Sequence, residues 1–392
     1  MQTPPGPLRV APFGPTQPCL RVPMHLSNFD IDAFLRDHWQ KKPLLIRQAV
    51  ADASSLLDRA TLFGLAGLQQ VESRLVTGAA AAGGNWKMRH GPFARRALPA
   101  LKKPGWTLLV QGLDLHLDSA HRFLSGFRFA PDARLDDVMV SYASDGGGVG
   151  PHVDSYDVFL LQLQGRRRWR IGRQKDLSLC DGLPLKILRN FEPDQQFDLE
   201  PGDMLYLPPN YAHDGIALGE CMTLSVGFHA PARGDLAGEL LQRLAQDADE
   251  LVGERLYRDP SQPAVAGAGA IPQALLDFAQ DAVQRLVQDP LAMRRALGEY
   301  LTEPKAQLWF DAAPRGVAPL AQVRLDRKTR MMYDQAHVFI NGESYRAAGR
   351  DATLMHRLAD ERVLLARDMA GASRAARDLL QEWGKAGWLH GA

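Results

Sequence analysis

Between Val138 and Phe228 the sequence is cut into short β-type runs, Val138–Tyr142, Val158–Leu163, Arg168–Ile171, Met204–Leu207 and Thr223–Phe228, separated by turn-forming residues. Strands this short and this closely spaced bury their apolar faces by closing on one another, so the region predicts a sandwich or barrel. The flanks read differently. Residues 1–24 are rich in proline and read as a flexible, extended tail. Order is expected to begin near Ser27, where Asn28 or Asp30 can cap a helix bearing Ile31, Phe34, Leu35 and Trp39 at helical spacing, with Pro43 as its stop. Leu44–Ile46 then reads as a short buried strand, and Trp106–Val110 as another within the mixed segment from Ala51 to Phe129.

After Pro231 the pattern turns helical. Leu236, Leu240, Leu244 and Leu251 share one face, and Leu275, Ala279, Val283 and Leu286 share another beyond the Pro/Gly/Ala-rich stretch 260–270. Residues 231–312 therefore read as a connector or dimerisation region. In 313–392 an Asn341-Gly342 turn between strand-like runs precedes two helical patterns, Ala352–Leu365 and Ala372–Gly384, which predicts a winged-helix-like module.

With 46 Lys and Arg against 45 Asp and Glu, the net charge of +1 gives no global pull toward nucleic acid or anionic lipid, so any such contact must come from a local patch. Three scattered cysteines, Cys19, Cys180 and Cys221, argue against a disulfide framework or zinc ribbon and fit a reducing cytoplasm. The first residues lack the apolar run that a membrane helix needs.

Chemistry concentrates in three places. Gly146–Gly150 and Pro151 lead into His152-Val153-Asp154; Arg166–Arg170 forms a basic run; and Pro201-Gly202-Asp203 leads to His213, 61 residues beyond His152 (213 minus 152). Residues two apart on an extended chain face the same way, so His152 and Asp154 can offer a nitrogen and a carboxylate to one ion, with His213 as the third ligand. Two imidazoles and a carboxylate leave open positions on an octahedral metal, the arrangement of non-haem iron(II) oxygenases. Gly202, Pro208, Asn210 and His213 resemble the second metal motif of cupin barrels, with Asn210 where glycine is usual, and Asn tolerates a left-handed backbone. His90 and His229 lack partners at ligand spacing and read as surface or supporting groups.

On the strand after Gln164-Gly165, taken as a hairpin turn, Arg167 alternates with its neighbours and shares the face of Trp169 and Ile171. In an arbitrary basic strand it would be a solvated charge. Inside a barrel a guanidinium needs an anion and matches a carboxylate such as the distal one of 2-oxoglutarate, with Ser141 as a further hydrogen-bonding group.

At these residues the chain resembles the JmjC-type ribosomal oxygenases of the cupin superfamily. The likeness runs through Trp39–Pro43, Arg89–Phe93, Gly147–Asp154 with Tyr156–Phe159, Gly165–Arg170, Glu200–Asp203 and Ser225–Phe228, most of residues 25–230. It implies a mainly β core, a double-stranded β-helix, followed by an α-helical dimerisation region and a winged-helix-like module. It further implies Fe(II) on His152, Asp154 and His213, and 2-oxoglutarate on Ser141 and Arg167. The implied reaction is β-hydroxylation of an arginine of a large-subunit ribosomal protein by a homodimer. Nothing in the residues themselves selects arginine over another substrate; Asp145 or Asp157 would suit a cation near the mouth, and a solvated loop role suits each as well. The rival expectations are a non-catalytic or differently metallated cupin, and a nucleic-acid-binding regulator using its tail. Residues 321–392 hold twelve Lys and Arg against nine Asp and Glu, thin for phosphate-driven binding, so direct nucleic-acid binding is not expected of the chain.

Overall fold

The computed structural model describes residues 26–78, 85–306, 308–312 and 322–391. The tail 1–24 and most of the Gly/Ala-rich stretch 78–84 lie outside them. Nine strands form one continuous antiparallel sheet: β1 (Leu44–Ile46), β2 (Ser73–Thr77), β3 (Lys87–His90), β4 (Trp106–Val110), β5 (Leu135–Ala143), β6 (Val158–Gly172), β7 (Gln195–Leu199), β8 (Met204–Leu207) and β9 (Ala212–Phe228). Their order is β1-β8-β6-β9-β5-β4-β2-β3, with β7 added on β6.

The two long strands make the barrel. The first half of β6 pairs with β8 and its second half with β7, while β9 pairs along the whole of β6 and its own second half also pairs with β5. Each long strand thus belongs to one wall at one end and to the opposite wall at the other, which is a double-stranded β-helix. The expected hairpin at Gln164-Gly165 is absent, and the chain continues as one strand with a register irregularity at 162–166. Gly165 sits at φ 62°, and a Cβ there would lie 2.1 Å from the Glu220 carbonyl oxygen of β9. A positive φ beside a close backbone approach requires glycine in a bulge as much as in a turn, and here it bends the strand between walls.

Helices α1 (Ile31–Asp37), α2 (Arg59–Leu65) and α3 (Asp118–Ser125) lend buried side chains to the same core. Asp30 caps α1, its carboxylate accepting the Ala33 N–H at 3.0 Å. Phe34 is buried with its ring centroid 4.7 Å from that of Tyr206, and Phe159 lies 4.9 Å from Tyr206, so one aromatic cluster joins α1 to β6 and β8. Edge-to-face pairs of this kind add to the burial of the rings themselves.

Helices α4 (Arg233–Gln246), α5 (Ala248–Val252), α6 (Gln273–Gln288) and α7 (Pro290–Thr302) follow. The last lay in no sequence pattern singled out above. None is long and apolar enough to cross a membrane. Beyond them stand β10 (Val323–Leu325), β11 (Met331–Tyr333), β12 (His337–Ile340), β13 (Glu343–Arg346), α8 (Gly349–Glu361), β14 (Val363–Leu364), α9 (Ala366–Ala370), α10 (Arg374–Lys385) and β15 (Leu389–Gly391). The expected Asn341-Gly342 turn joins β12 to β13, both residues at positive φ. That hairpin leans on α7: the Gly342 N–H donates to Thr302 Oγ1 at 3.2 Å, and the Ser344 hydroxyl donates to Glu299 at 2.6 Å.

The C-terminal elements are fastened to the barrel by charge-assisted hydrogen bonds. Arg128, held by Asp132 at 2.6 Å, donates to the Ala359 carbonyl at 3.0 Å, and Arg327 meets Asp118 at 2.6 Å and the Leu115 carbonyl at 2.9 Å. Lys305 completes the seam against Asp136 at 2.8 Å. Behind it a cavity of about 90 Å³ is lined by Asp114, whose carboxyl burial pushes up to about 6.

Candidate metal centre

His152 sits in the loop between β5 and β6, and His213 is the second residue of β9. They are the two halves of an isolated antiparallel bridge. The His152 N–H donates to the His213 carbonyl at 3.0 Å, and the His213 N–H donates to the His152 carbonyl at 2.9 Å. The segment carrying His152 and Asp154 is therefore a single bridge followed by loop, not the strand that the alternation argument assumed. The facing is achieved all the same, because Asp154 is tethered: its carbonyl accepts the Asn210 N–H at 2.7 Å. Asn210 does adopt the left-handed backbone, at φ 58°. In the approach to His152, Gly148 leaves no room for a side chain, since a Cβ would lie 2.5 Å from the Gly215 oxygen.

One ligand atom from each of His152, Asp154 and His213 lies within 4.8 Å of the others, the one such group of three found among the described residues. His152 Nε2 is 3.9 Å from one carboxylate oxygen of Asp154, and His213 Nε2 is 3.6 Å from the other. Both rings are oriented from behind. His152 Nδ1 is 2.8 Å from the Gly150 carbonyl and His213 Nδ1 is 3.0 Å from that of Tyr211. A carbonyl only accepts, so each Nδ1 carries the proton and each Nε2 presents a lone pair to the shared point. Burial, with His152 alongside, pushes the His213 imidazole down to about 4, so at neutral pH it is in the uncharged form that ligates metal. Two imidazoles and one carboxylate suit a divalent iron and leave coordination positions free.

The four arginines of β6 divide as the alternation predicted. Arg166 is exposed, Arg168 pairs with Asp198 at 2.7 Å, Arg170 pairs with Asp214, and Arg167 is buried. Arg167 Nη1 donates to Ser141 Oγ at 2.8 Å, and Ser141 stands on β5 in the facing wall. Arg167 Nε and Nη2 are buried without a hydrogen-bond partner. A buried cation with two idle donors is costly, and a carboxylate arriving there would satisfy both together. The Trp169 ring lies 5.7 Å from the Arg167 guanidinium and 5.8 Å from the His213 ring, so both groups flank one indole.

His90 is exposed on β3, and His229 enters the structure through its backbone, its carbonyl accepting from Arg134 at 2.7 Å. Asp145 is exposed and accepts the Gly219 N–H at 2.8 Å. Asp157 is not at a mouth or in solvent: it is fully buried, accepting from Tyr206 at 2.6 Å, Gln40 at 3.0 Å and Arg134 at 3.2 Å. Sequence reasoning missed Gln162 and Thr223, both fully buried and joined at 2.9 Å, with the Thr223 carbonyl 3.4 Å from the Ser141 hydroxyl. The polar Gln162 within the apolar run Val158–Leu163 was the available signal.

A family model described as a JmjC domain matches residues 122–236, and one described as a ROXA-like winged helix matches residues 285–390. The ribosomal protein uL16 3-hydroxylase of Escherichia coli (strain K12) is 36% identical over 283 residues, covering 72% of this chain and 73% of its own length. A probable ribosomal oxygenase of Haemophilus influenzae is 35% identical over 219 residues, 55% of this chain and 52% of its own. The X-ray structure of E. coli YcfD overlays with a TM-score of 0.81 at 30% identity, covering 92% of this chain and 98% of that one. A structure of that ribosomal oxygenase in complex with cobalt and 2-oxoglutarate overlays at 0.77, with 30% identity and the same coverage.

Proposed function

This chain belongs to the JmjC-domain ribosomal oxygenases, and on that premise we propose that it is an Fe(II)- and 2-oxoglutarate-dependent hydroxylase of a ribosomal protein, acting on an arginine of the large-subunit protein uL16. The observation that carries the reading is the half-satisfied guanidinium of Arg167, buried beside the His152, Asp154 and His213 cluster. A barrel that only stored a metal would gain nothing from burying that charge.

In this reading His152, Asp154 and His213 hold the iron through Nε2, a carboxylate oxygen and Nε2. Arg167 and Ser141 hold the distal carboxylate of 2-oxoglutarate. The bound pair supplies the oxidation, in which dioxygen is divided between 2-oxoglutarate, leaving as succinate and carbon dioxide, and a hydroxyl on a substrate carbon. The chain's own groups orient and exclude water: the Gly150 and Tyr211 carbonyls fix the ring tautomers, and Trp169 closes the space between His213 and Arg167. The reading keeps residues 25–230 as the catalytic unit, 231–312 as the helical connector and 313–392 as the C-terminal module, in a cytoplasmic enzyme.

Incubating the purified chain with uL16, Fe(II) and 2-oxoglutarate is expected to add about 16 Da, one oxygen atom, to a single arginine-containing peptide. Succinate formation with no mass change on any ribosomal protein would overturn the substrate assignment.

Homodimerisation is proposed through the helical connector, where Leu241 on α4 and Leu275, Leu276 and Val283 on α6 are exposed. Such an apolar face is the ordinary material of an obligate interface. Light scattering at micromolar concentration is expected to give twice the 43.3 kDa chain mass, and a monomer there ends the proposal.

A further inference from the structure

The chain as a whole is balanced in charge, yet from Ser73 to Leu113 it contains no Asp or Glu, while carrying Arg74, Lys87, Arg89, Arg95, Arg96, Lys102 and Lys103. Arg74 is engaged with Glu72 and Gln111. The other six are exposed, and among the described residues none of them is in an ion pair. Three of them, Lys87, Arg89 and Lys103, line a groove of about 710 Å³ whose walls are residues 86–89 of the β3 strand region and residues 97–100 and 103 opposite, with Pro184 at its end. Lys87 and Arg89 stand on one wall and Lys103 on the other, and no carboxylate lines it.

Edge strands commonly carry lysine or arginine to repel intruding strands, and β3 is the last strand of its sheet. That explains Lys87 and Arg89. Arg95 lies over the Phe63 ring, 4.9 Å from its centroid; neither account covers Arg96, Lys102 and Lys103, which lie off the strand with the same sign and no counter-charge.

The groove also presents an aromatic ring. Trp86 is half-buried in its wall, and a Cβ on Gly150 would lie 3.3 Å from the indole. Gly150 is the residue whose carbonyl orients His152, so the groove abuts the loop that carries the first metal ligand. A ligand matching this surface needs both regularly spaced negative charge and flat aromatic faces. A carboxylate-rich peptide has the charge and nothing for the indole, whereas unpaired nucleotides have both.

We infer that the groove between β3 and residues 97–103 binds single-stranded nucleic acid, its phosphates against Lys87, Arg89 and Lys103, with the exposed Lys102 next to the last, and a base against Trp86. Beside a site that acts on a ribosomal protein the strand would be RNA, and that last clause rests on the proposed function. The binding itself does not.

The test is fluorescence anisotropy of a labelled oligouridine of about 12 nucleotides, within the range one groove spans, titrated with the full chain free of metal and 2-oxoglutarate. Saturable binding is expected, with log Kd rising with log salt at a slope of about 2 to 4, as three to six phosphate contacts give. Lys102→Glu with Lys103→Glu is expected to weaken binding at least about tenfold. Trp86→Ala is expected to weaken it at least about fivefold without altering the salt slope, the signature of lost stacking. Circular dichroism of each variant is expected to match the native chain, since Lys102 and Lys103 are exposed and Trp86 is only half-buried. No saturable binding near 50 mM salt, or equal affinity in the charge-reversed variant, overturns the inference. So does unaltered affinity in Trp86→Ala, or oligoglutamate competing as well as the RNA, either of which makes the surface a general polyanion or acidic-protein contact. Because neither metal nor protein substrate is in the cuvette, a negative result here leaves the hydroxylase reading standing, and an inactive hydroxylase leaves this one standing.

Discussion

Asp154→Ala, loaded with Fe(II) and given 2-oxoglutarate, is expected to release succinate at less than about one hundredth of the native rate, because even groups that merely orient a ligand cost 10- to 100-fold when removed. The fold should survive. The Asp154 side chain is partly exposed, its ion-pair partners among the described residues are the two imidazoles, and its tie to Asn210 runs through the backbone carbonyl and is retained. The melting temperature of the metal-free variant is therefore expected within a few degrees of native. Succinate release at native rates by the iron-loaded variant would remove Asp154 from the metal centre and with it the three-ligand assignment.

Arg167→Met separates two effects that act in opposite directions. Two charge-assisted hydrogen bonds to a carboxylate are lost, about 3–6 kcal/mol, so the KM for 2-oxoglutarate is expected to rise by at least about a hundredfold. At the same time the metal-free chain loses a buried cation whose Nε and Nη2 have no partner, and an apolar side chain of similar length replaces it. Substitutions of that kind are often neutral or stabilising, so the melting temperature without ligand is expected to hold or rise. Weakened 2-oxoglutarate binding with a stable apo chain identifies Arg167 as a ligand-binding group. A raised KM accompanied by a lowered apo melting temperature would instead mark it as a structural member of the wall.

What the sequence disclosed and what it hid follow from the range of the interactions involved. His152 and Asp154 could be paired on paper because extended residues two apart share a facing, although here a single bridge and the Asp154–Asn210 tie keep it, and Arg167 could be singled out because the second half of β6 alternates between buried and outward residues. The Asn341-Gly342 turn was readable because only residues tolerant of positive φ make it. Gly165 satisfied the same backbone rule and was misread, since a bulge and a tight turn ask the same thing of glycine and differ only in where the chain goes next. Asp157 was placed near solvent because its neighbours in sequence are a turn; its partners Gln40, Arg134 and Tyr206 come from three distant segments. The carbonyls of Gly150 and Tyr211 had no signal at all, because a backbone oxygen is common to every residue. The basic surface beside β3 was invisible in the net charge and obvious in its distribution: the acidic residues that balance the total are elsewhere.

Ser141 belongs to β5 on one side of the barrel and Arg167 to the far half of β6 on the other, yet the two meet at 2.8 Å. In the proposed reading, a small dicarboxylate accepting hydrogen bonds from both would act as a tie rod, resisting any spreading of the sides from within. Since β6 and β9 each continue through both sides, that resistance is passed along unbroken backbone to the rim, where His152 and His213 face each other. Filling the inner end of the chamber would thereby steady the outer end, where the metal ligands stand.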